Sequence, residues 1–413
     1  MYNLSFCDNF GYPPEIKNCL AQILNIICCI NPISVILSGS FSRGEMSYVF
    51  ENGQLNIYSD IELLVIVKGK TKKVERELLY KKLRELEASL AQNNKFFHLD
   101  VSIVNLRHIK NLPPKFQFWE TKNSGITSGE DLRRYLPEKV DFRYLNESSL
   151  NRLHSIILYF PGRFLVNKFS KEDETDFRYI LARSVLDIPT WLLPYTGHLI
   201  CGFKNRIDFI HENKEDLDFI SWLPSWFLDF LDECWQGKMK LRFEEDFLTM
   251  YDKVLVCFTQ ATKYVLSRLK LTTGYEDVEI KIVKYSPRIL HEFLPRRKVF
   301  ELILLGKNWK SISVKDACKW FILNKKGLIA AFLFSMNYAL LSHLKGQGIQ
   351  KDYLRQAEYY LRQLDFRIKN IEGDNFSEKW LYLRKKYIDF LAFFYRWFAL
   401  KKDYLDSVIE ENE

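Results

Sequence analysis

Ile33-Ser34-Val35-Ile36-Leu37-Ser38-Gly39-Ser40-Phe41-Ser42-Arg43-Gly44-Glu45 is the stretch that decides the fold. The β-branched run Ile33 to Leu37, bounded by Gly39, predicts a buried strand that meets a tight turn. Upstream, Ile16, Leu20, Leu24 and Ile27 recur at helical spacing, so residues 15–31 read as a helix. Asn31-Pro32 ends it, because proline disfavours helical geometry in the residue before it. Downstream, residues 46–58 are polar and carry the turn signal Asn52-Gly53. Ile61 to Val67 is a second strand, closed by Gly69. Thr71 to Asn93 is an amphipathic helix with Leu79, Leu83, Leu86 and Leu90 on one face. Phe97 to Val104 is a third strand with Asp100 inside it, and Pro113-Pro114 then breaks the pattern.

From about residue 145 the character changes. Residues 150–166, 177–193, 201–213, 243–269, 314–344, 351–371 and 377–400 read as helices. Val278 to Val283 is the one candidate strand there. The reading is therefore α+β: a small mixed-sheet domain over residues 1–140, followed by a large all-helical region over 141–413, as one bundle or two sub-bundles. The acidic tail from Asp406 to Glu413 reads as frayed.

Composition narrows the class. The 413 residues are 47% hydrophobic and 27% charged, an ordinary globular balance that excludes a disordered chain. A net charge of +8 falls short of a dedicated nucleic-acid binder but admits phosphorylated partners. Eight cysteines form no CxxC pair, so structural zinc and a disulfide scaffold are not expected, and the thiols read as buried and free in a reducing cytosol. The first residues show no basic stretch followed by an apolar core, so they are not expected to be a signal peptide. The longest apolar run, Gly327 to Leu344, carries Ser335, Asn337, Ser342 and His343, which makes it a buried helix and not a membrane span. The expectation is a cytoplasmic protein with no membrane association.

The chemistry lies in the first 110 residues. Asp60 and Glu62 are two apart, so on a strand both carboxylates face one side while Ile61 and Leu63 face the core. Paired carboxylates repel unless a proton or cation intervenes, and Mg²⁺ takes such oxygen ligands while leaving the rest of its shell to phosphate and water. If the strands are neighbours, Asp100 completes a three-carboxylate cluster. Gly39 and Ser40 supply the opposite kind of group. A glycine admits close approach of a phosphate, a helix start presents unpaired N–H donors, and the hydroxyl adds another. Together these make an anion cradle beside a dication site, as nucleotidyl transfer requires.

Gly39-Ser40, then Asp60-Ile61-Glu62, then Asp100 resemble the pattern of the DNA polymerase beta-type nucleotidyltransferase superfamily. The Gly-Ser-Phe-Ser-Arg-Gly-Glu form is similar to bacterial antibiotic nucleotidyltransferases. The resemblance covers roughly residues 15–110. It departs from the pattern in a spacer of nineteen residues between Ser40 and Asp60, read as a hairpin-like insertion, and in Glu62 where Asp is commoner. The resemblance implies a catalytic domain over 1–140 that moves a nucleoside monophosphate from an NTP, such as ATP, to an acceptor hydroxyl and releases pyrophosphate. It implies two Mg²⁺ ions, or Mn²⁺, held by Asp60, Glu62 and Asp100. The triphosphate would be positioned by Gly39, Ser40, Ser42 and Arg43, although Arg43 could equally brace the turn by pairing with Glu45. The helical region would select the acceptor, with a small molecule favoured and a protein or RNA hydroxyl as alternatives.

Two other classes stay open: a catalytically silent nucleotide- or partner-binding scaffold on the same fold, and an RNA 3′-end nucleotidyltransferase. Oligomeric state is not specified. Lesser features take plainer readings. His98 is a packed or solvated histidine. Thr127 to Asp131 is a turn followed by a helix start at the domain junction. Lys204, Asn205 and Arg206 form a solvated basic face, with a triphosphate contact as the alternative. The aromatic residues between Trp380 and Phe398 belong to a buried C-terminal helix. Arg288 with Arg296-Arg297-Lys298 offers a basic patch to an acidic acceptor as a lesser reading.

Overall fold

A computed structural model describes residues 4–51, 53–69, 73–90, 98–166, 170–268, 326–364, 368 and 375–394. The expected strand at 278–283, the basic residues at 288–298, Cys318 and the acidic tail lie outside the described residues. The elements in order are α1 (Ser5–Asn9), α2 (Pro14–Ile27), β1 (Ser34–Ser38), β2 (Tyr48–Glu51), β3 (Gln54–Ile57), β4 (Ile61–Val67), α3 (Lys73–Leu90), β5 (Leu99–Asn105), α4 (Phe116–Ser124) and β6 (Ile126–Gly129). Helices follow: α5 (Phe142–Tyr159), α6 (Lys171–Leu192), α7 (Phe203–Asn213), α8 (Phe227–Lys240), α9 (Phe247–Arg268), α10 (Lys326–Leu344), α11 (Gln350–Leu364) and α12 (Phe376–Phe394).

Two compact units emerge. The first is Met1–Asp141 together with Leu199–Glu212 and Trp235–Arg242; the second is Phe142–His198, Asn213–Cys234 and Phe243–Glu413. The chain, expected to divide once at residue 140, thus returns twice to the first unit.

The first unit is built on a four-stranded mixed sheet in the order β5-β4-β1-β6. β1 is antiparallel to β4 and to β6, and β4 is parallel to β5. Apolar residues on both faces explain the unbroken hydrophobic runs in β1 and β4, since a strand covered on both sides has no polar alternation to show. One face sends Val35, Leu37, Ile61, Leu63, Val65, Val67, Leu99 and Val101 against Ile16, Leu20, Ile23 and Ile27 of α2 and Leu79, Leu83 and Leu86 of α3. The other sends Ile36, Leu64 and Ile66 against Ile109, Leu132 and Leu136. Pro14 starts α2, where its missing N–H costs nothing. A 3₁₀ turn over Cys28–Ile30 follows, and Asn31, at φ 46°, turns the chain into β1. β2 and β3 form the hairpin expected in the spacer, with Glu51 opposite Gln54 and Gly53 at φ +78° between them.

Two elements differ from expectation. Thr127 to Gly129 belongs to β6, an edge strand on β1, and not to a turn. The Glu130 N–H extends the pairing to the Ile33 carbonyl. Asp131 then accepts from the Arg133 N–H at 3.1 Å and from its guanidinium, and Arg133–Tyr135 forms a short 3₁₀ turn where an α-helix start is expected. Four residues, three of them small or polar, cover an edge without the apolar signature of a central strand.

The second unit is helical in its described residues. Aromatic edges fill its centre: Phe160 meets Phe164, Phe177 and Trp380 at 5.3 to 5.5 Å between ring centres. Such edge-to-face packing aligns positive ring edges with negative faces. α10 is buried as expected, and its polar Asn337 is satisfied there, accepting from the Tyr251 hydroxyl at 2.7 Å and donating to the Leu153 and Leu333 carbonyls. No described helix is long and apolar enough to cross a membrane. Trp380, Tyr387 and Phe390 of α12 are core residues, and the Trp380 indole donates to the Met336 carbonyl.

Candidate active site

The turn after β1 is closed by its own hydrogen bonds. Gly39–Arg43 forms one 3₁₀ turn, the tight turn expected after the strand. The Ser42 hydroxyl donates to the Gly39 carbonyl at 3.0 Å, and the Glu45 N–H donates to the Ser40 carbonyl at 2.9 Å. Phe41 is buried beneath the turn, and the Tyr12 hydroxyl donates to its carbonyl. Ser42 is therefore buried and occupied within the turn, whereas Ser40 is half-buried at its surface.

Strand register brings the carboxylates together. Glu62 pairs with Ser38 on one side and with Asp100 on the other. The parity that sends Leu64 and Ile66 to one face of the sheet places Glu62 on that face, and Val104 does the same for Asp100. Asp60 stands one residue before β4, whose first N–H, that of Ile61, donates to the His98 carbonyl at 2.8 Å. His98 itself contacts Glu87 of α3 at 2.5 Å, away from any role at the carboxylates. Gly39 closes the site: at φ +70°, a Cβ there would stand 2.9 Å from Glu62 Oε2. Only glycine gives both the left-handed turn and this clearance.

The electrostatics follow from this crowding. Burial first, then the charges of Asp60 and Asp100, push the Glu62 carboxyl up to about 7, with Arg43 acting in the opposite direction. A proton or a cation is what such a cluster holds most readily.

A second group of charges lies behind the turn. Arg43 Nε donates to Glu45 Oε2 at 2.9 Å, and its Nη1 forms an ion pair with Glu120 Oε2 at 3.1 Å, off the hydrogen-bonding direction. Burial opposes the Arg43 charge, but Glu120 and Glu45 outweigh it and hold the guanidinium's pKa above its ordinary value. Glu120 also pairs with Arg206 and accepts the Gly202 N–H at 2.9 Å, while Glu45 accepts the Lys204 N–H at 3.0 Å. Arg206 is buried, with its guanidinium over the Phe116 and Phe203 rings at 5.0 and 5.4 Å.

This corrects the basic face read over 204–206. Lys204 and Asn205 have solvent-facing side chains, but Arg206 is an interior ion-pair member. Of the two roles open to Arg43, bracing the turn is the one its contacts show. Glu120 and Lys238 were not singled out from the sequence. A lone Glu after the Pro113-Pro114 break carries no local signal, and Lys238 meets Glu45 from 193 residues away.

No protein-family model matches the chain, and neither a curated protein nor a solved structure matches it.

Among the described residues, no three His, Cys, Asp or Glu side chains are already set to hold an ion. The donor chemistry nonetheless fits Mg²⁺. Three carboxylates, one with its pKa raised by burial and then by the other two, form an all-oxygen set whose mutual repulsion a hard dication relieves. Cys201, near Glu120, is no rival nucleophile, since burial first and the Glu120 charge next push its thiol up to about 11.

Proposed function

We propose that the first unit is a metal-dependent nucleotidyltransferase that moves a nucleoside monophosphate from an NTP to an acceptor hydroxyl. The observation that carries the reading is the register of Glu62 opposite Asp100, with Asp60 beside them and the Gly39 turn against Glu62. Asp60, Glu62 and Asp100 would hold Mg²⁺, or Mn²⁺ in its place. When bound, the metal supplies charge neutralisation at the attacked phosphate and the leaving pyrophosphate. The rest is alignment by the chain. Gly39 lets backbone approach the triphosphate, and Ser40 offers a hydroxyl beside it. Asp100 orients the acceptor hydroxyl and takes its proton as its oxygen bonds to the α-phosphorus and the bond to pyrophosphate breaks. Arg43 acts from behind, because its guanidinium is already held by Glu45 and Glu120. A small-molecule acceptor suits the modest net charge better than RNA does.

The test is incubation with each labelled NTP and Mg²⁺ against a panel of sugars, antibiotics, RNA ends and proteins, following pyrophosphate release beside direct NTP binding. Mg²⁺-dependent NTP binding and acceptor-dependent release, both lost in Asp60→Asn, are expected. Absence of Mg²⁺-dependent NTP binding would overturn the proposal. NTP binding without release from any acceptor would favour the silent scaffold, a reading that the lack of a preset ion cage among the described residues also supports.

A further inference from the structure

Lys238 is 1% exposed, and its ammonium is enclosed by protein groups on several sides. It donates to the Glu45 carbonyl and, at 2.9 Å, to the Ser47 hydroxyl. The Phe203 and Trp235 rings lie 5.9 and 5.7 Å from it. A buried ammonium in an apolar surrounding is costly unless its donors are used. Here they are used on one short segment, Glu45 to Ser47, which links the Gly39 turn to the hairpin.

That segment is stitched to both halves of the candidate site. The Ser47 N–H donates to the Ser59 hydroxyl at 2.9 Å, and the Ser47 carbonyl accepts the Tyr58 N–H at 2.9 Å. Ser59, itself buried, is the residue before Asp60. On the other side, the Glu45 carboxylate grips Arg43 in the turn. Lys238 therefore sits at the junction of two hydrogen-bonded paths, one ending at Ser59, the residue before Asp60, and the other at the turn that faces Glu62.

We propose that Lys238 is a positioning residue for the carboxylate site, fixing through Glu45, Ser47 and Ser59 the backbone that leads into Asp60 and the turn that faces Glu62. This rests on the transferase reading above. Direct hydrogen-bond partners of a metal ligand commonly change metal affinity or activity about 10- to 100-fold when removed, and Lys238, which acts through Ser47 and Ser59, belongs at the lower end.

The experiment compares wild type, Lys238→Met, Ser47→Ala and the double variant, each below its melting temperature. Mn²⁺ binding is followed by the EPR signal of the free ion, and kcat and KM for NTP are measured in parallel. Lys238→Met should weaken Mn²⁺ binding about tenfold and lower kcat about tenfold, with KM for NTP moving less than about twofold. Ser47→Ala should move both in the same direction by less, and should add nothing to Lys238→Met, because the two act along one path. A folded Lys238→Met protein with wild-type Mn²⁺ affinity and kcat would overturn the inference, as would simple additivity of the two changes. If Lys238→Met does not fold, Ser47→Ala decides: reduced kcat and Mn²⁺ affinity support the role, and wild-type values remove it. A wild-type chain that neither binds Mn²⁺ nor transfers overturns the transferase reading before any substitution is compared, and this inference with it.

Discussion

Glu62 and Asp100 are register partners across the parallel β4–β5 pair, and the Asp100 charge adds to burial and Asp60 in raising the pKa of Glu62. Asp100→Ala should therefore act in opposite directions on chemistry and on the metal-free fold. Transfer in a single turnover should be abolished, while the metal-free melting temperature stays unchanged or rises, because like-charge repulsion is relieved. An active variant would remove Asp100 from the site.

The raised pKa of Glu62 also fixes a pH dependence. Its carboxyl titrates near 7 in the folded chain and near 4.5 when unfolded, so the folded state binds the proton more tightly. Its favourable contribution is full below about pH 4.5 and is lost as pH rises through 7. The difference is on the order of 3 kcal/mol at most. Urea midpoints of metal-free wild type and Glu62→Gln between pH 4.5 and 7.5 should converge at the acid end, with the variant gaining relative stability toward the neutral end. Parallel curves would contradict the assignment.

Gly39 and Gly53 make a matched pair. Both have positive φ, +70° and +78°, but a Cβ at Gly53 meets nothing within 4 Å, whereas one at Gly39 meets Glu62 Oε2. Gly53→Ala should cost only the left-handed strain, about 1–2 kcal/mol, and spare activity. Gly39→Ala should cost at least as much and also displace the Glu62 carboxylate, eliminating transfer. Thermal melts together with turnover assays on the two variants check this.

Glu120 pairs with Arg43 and with the buried Arg206, so Glu120→Ala takes a carboxylate from the interior arginine, while Arg43 keeps Glu45. Breaking a buried pair in this way costs about 3–5 kcal/mol. Glu138, 80% exposed and paired with Lys122, provides the contrast. Glu138→Ala should cost less than about 1 kcal/mol. Equal shifts in urea midpoint for the two would show that the Arg43–Glu120–Arg206 group carries no special weight.

How much of this was legible in the sequence depended on range. β1, β4 and β5 announce themselves because both faces of the sheet are covered, leaving apolar runs such as Ile61 to Val67 with a single acidic interruption at Glu62. That interruption made the carboxylates readable, as parity on a strand fixes their common face. β6 was misread because Ile126-Thr127-Ser128-Gly129 is short and polar and becomes a strand only by lying on β1. α4 was hidden behind Pro113-Pro114. The Glu120–Arg206 pair and the Lys238 contacts join residues 86 and more than 190 positions apart, where no periodicity reaches. Arg206 reads as part of a polar surface run with Lys204 and Asn205, and only its neighbours Phe116 and Phe203 show it to be interior.

The discontinuity of the first unit has a consequence for synthesis. Glu45 and Glu120 emerge from the ribosome early, but their partners on 199–212 and 235–242 follow much later. At 5–20 residues per second, the roughly 100 residues after Asp141 take about 5–20 s to translate. Throughout that interval Glu45 and Glu120 have Arg43 beside them but not the Lys204 and Gly202 N–H groups or the Arg206 guanidinium. A fragment ended at residue 141 would be arrested in that state permanently. Expression of the first unit alone therefore calls for a chain that runs at least to Arg242.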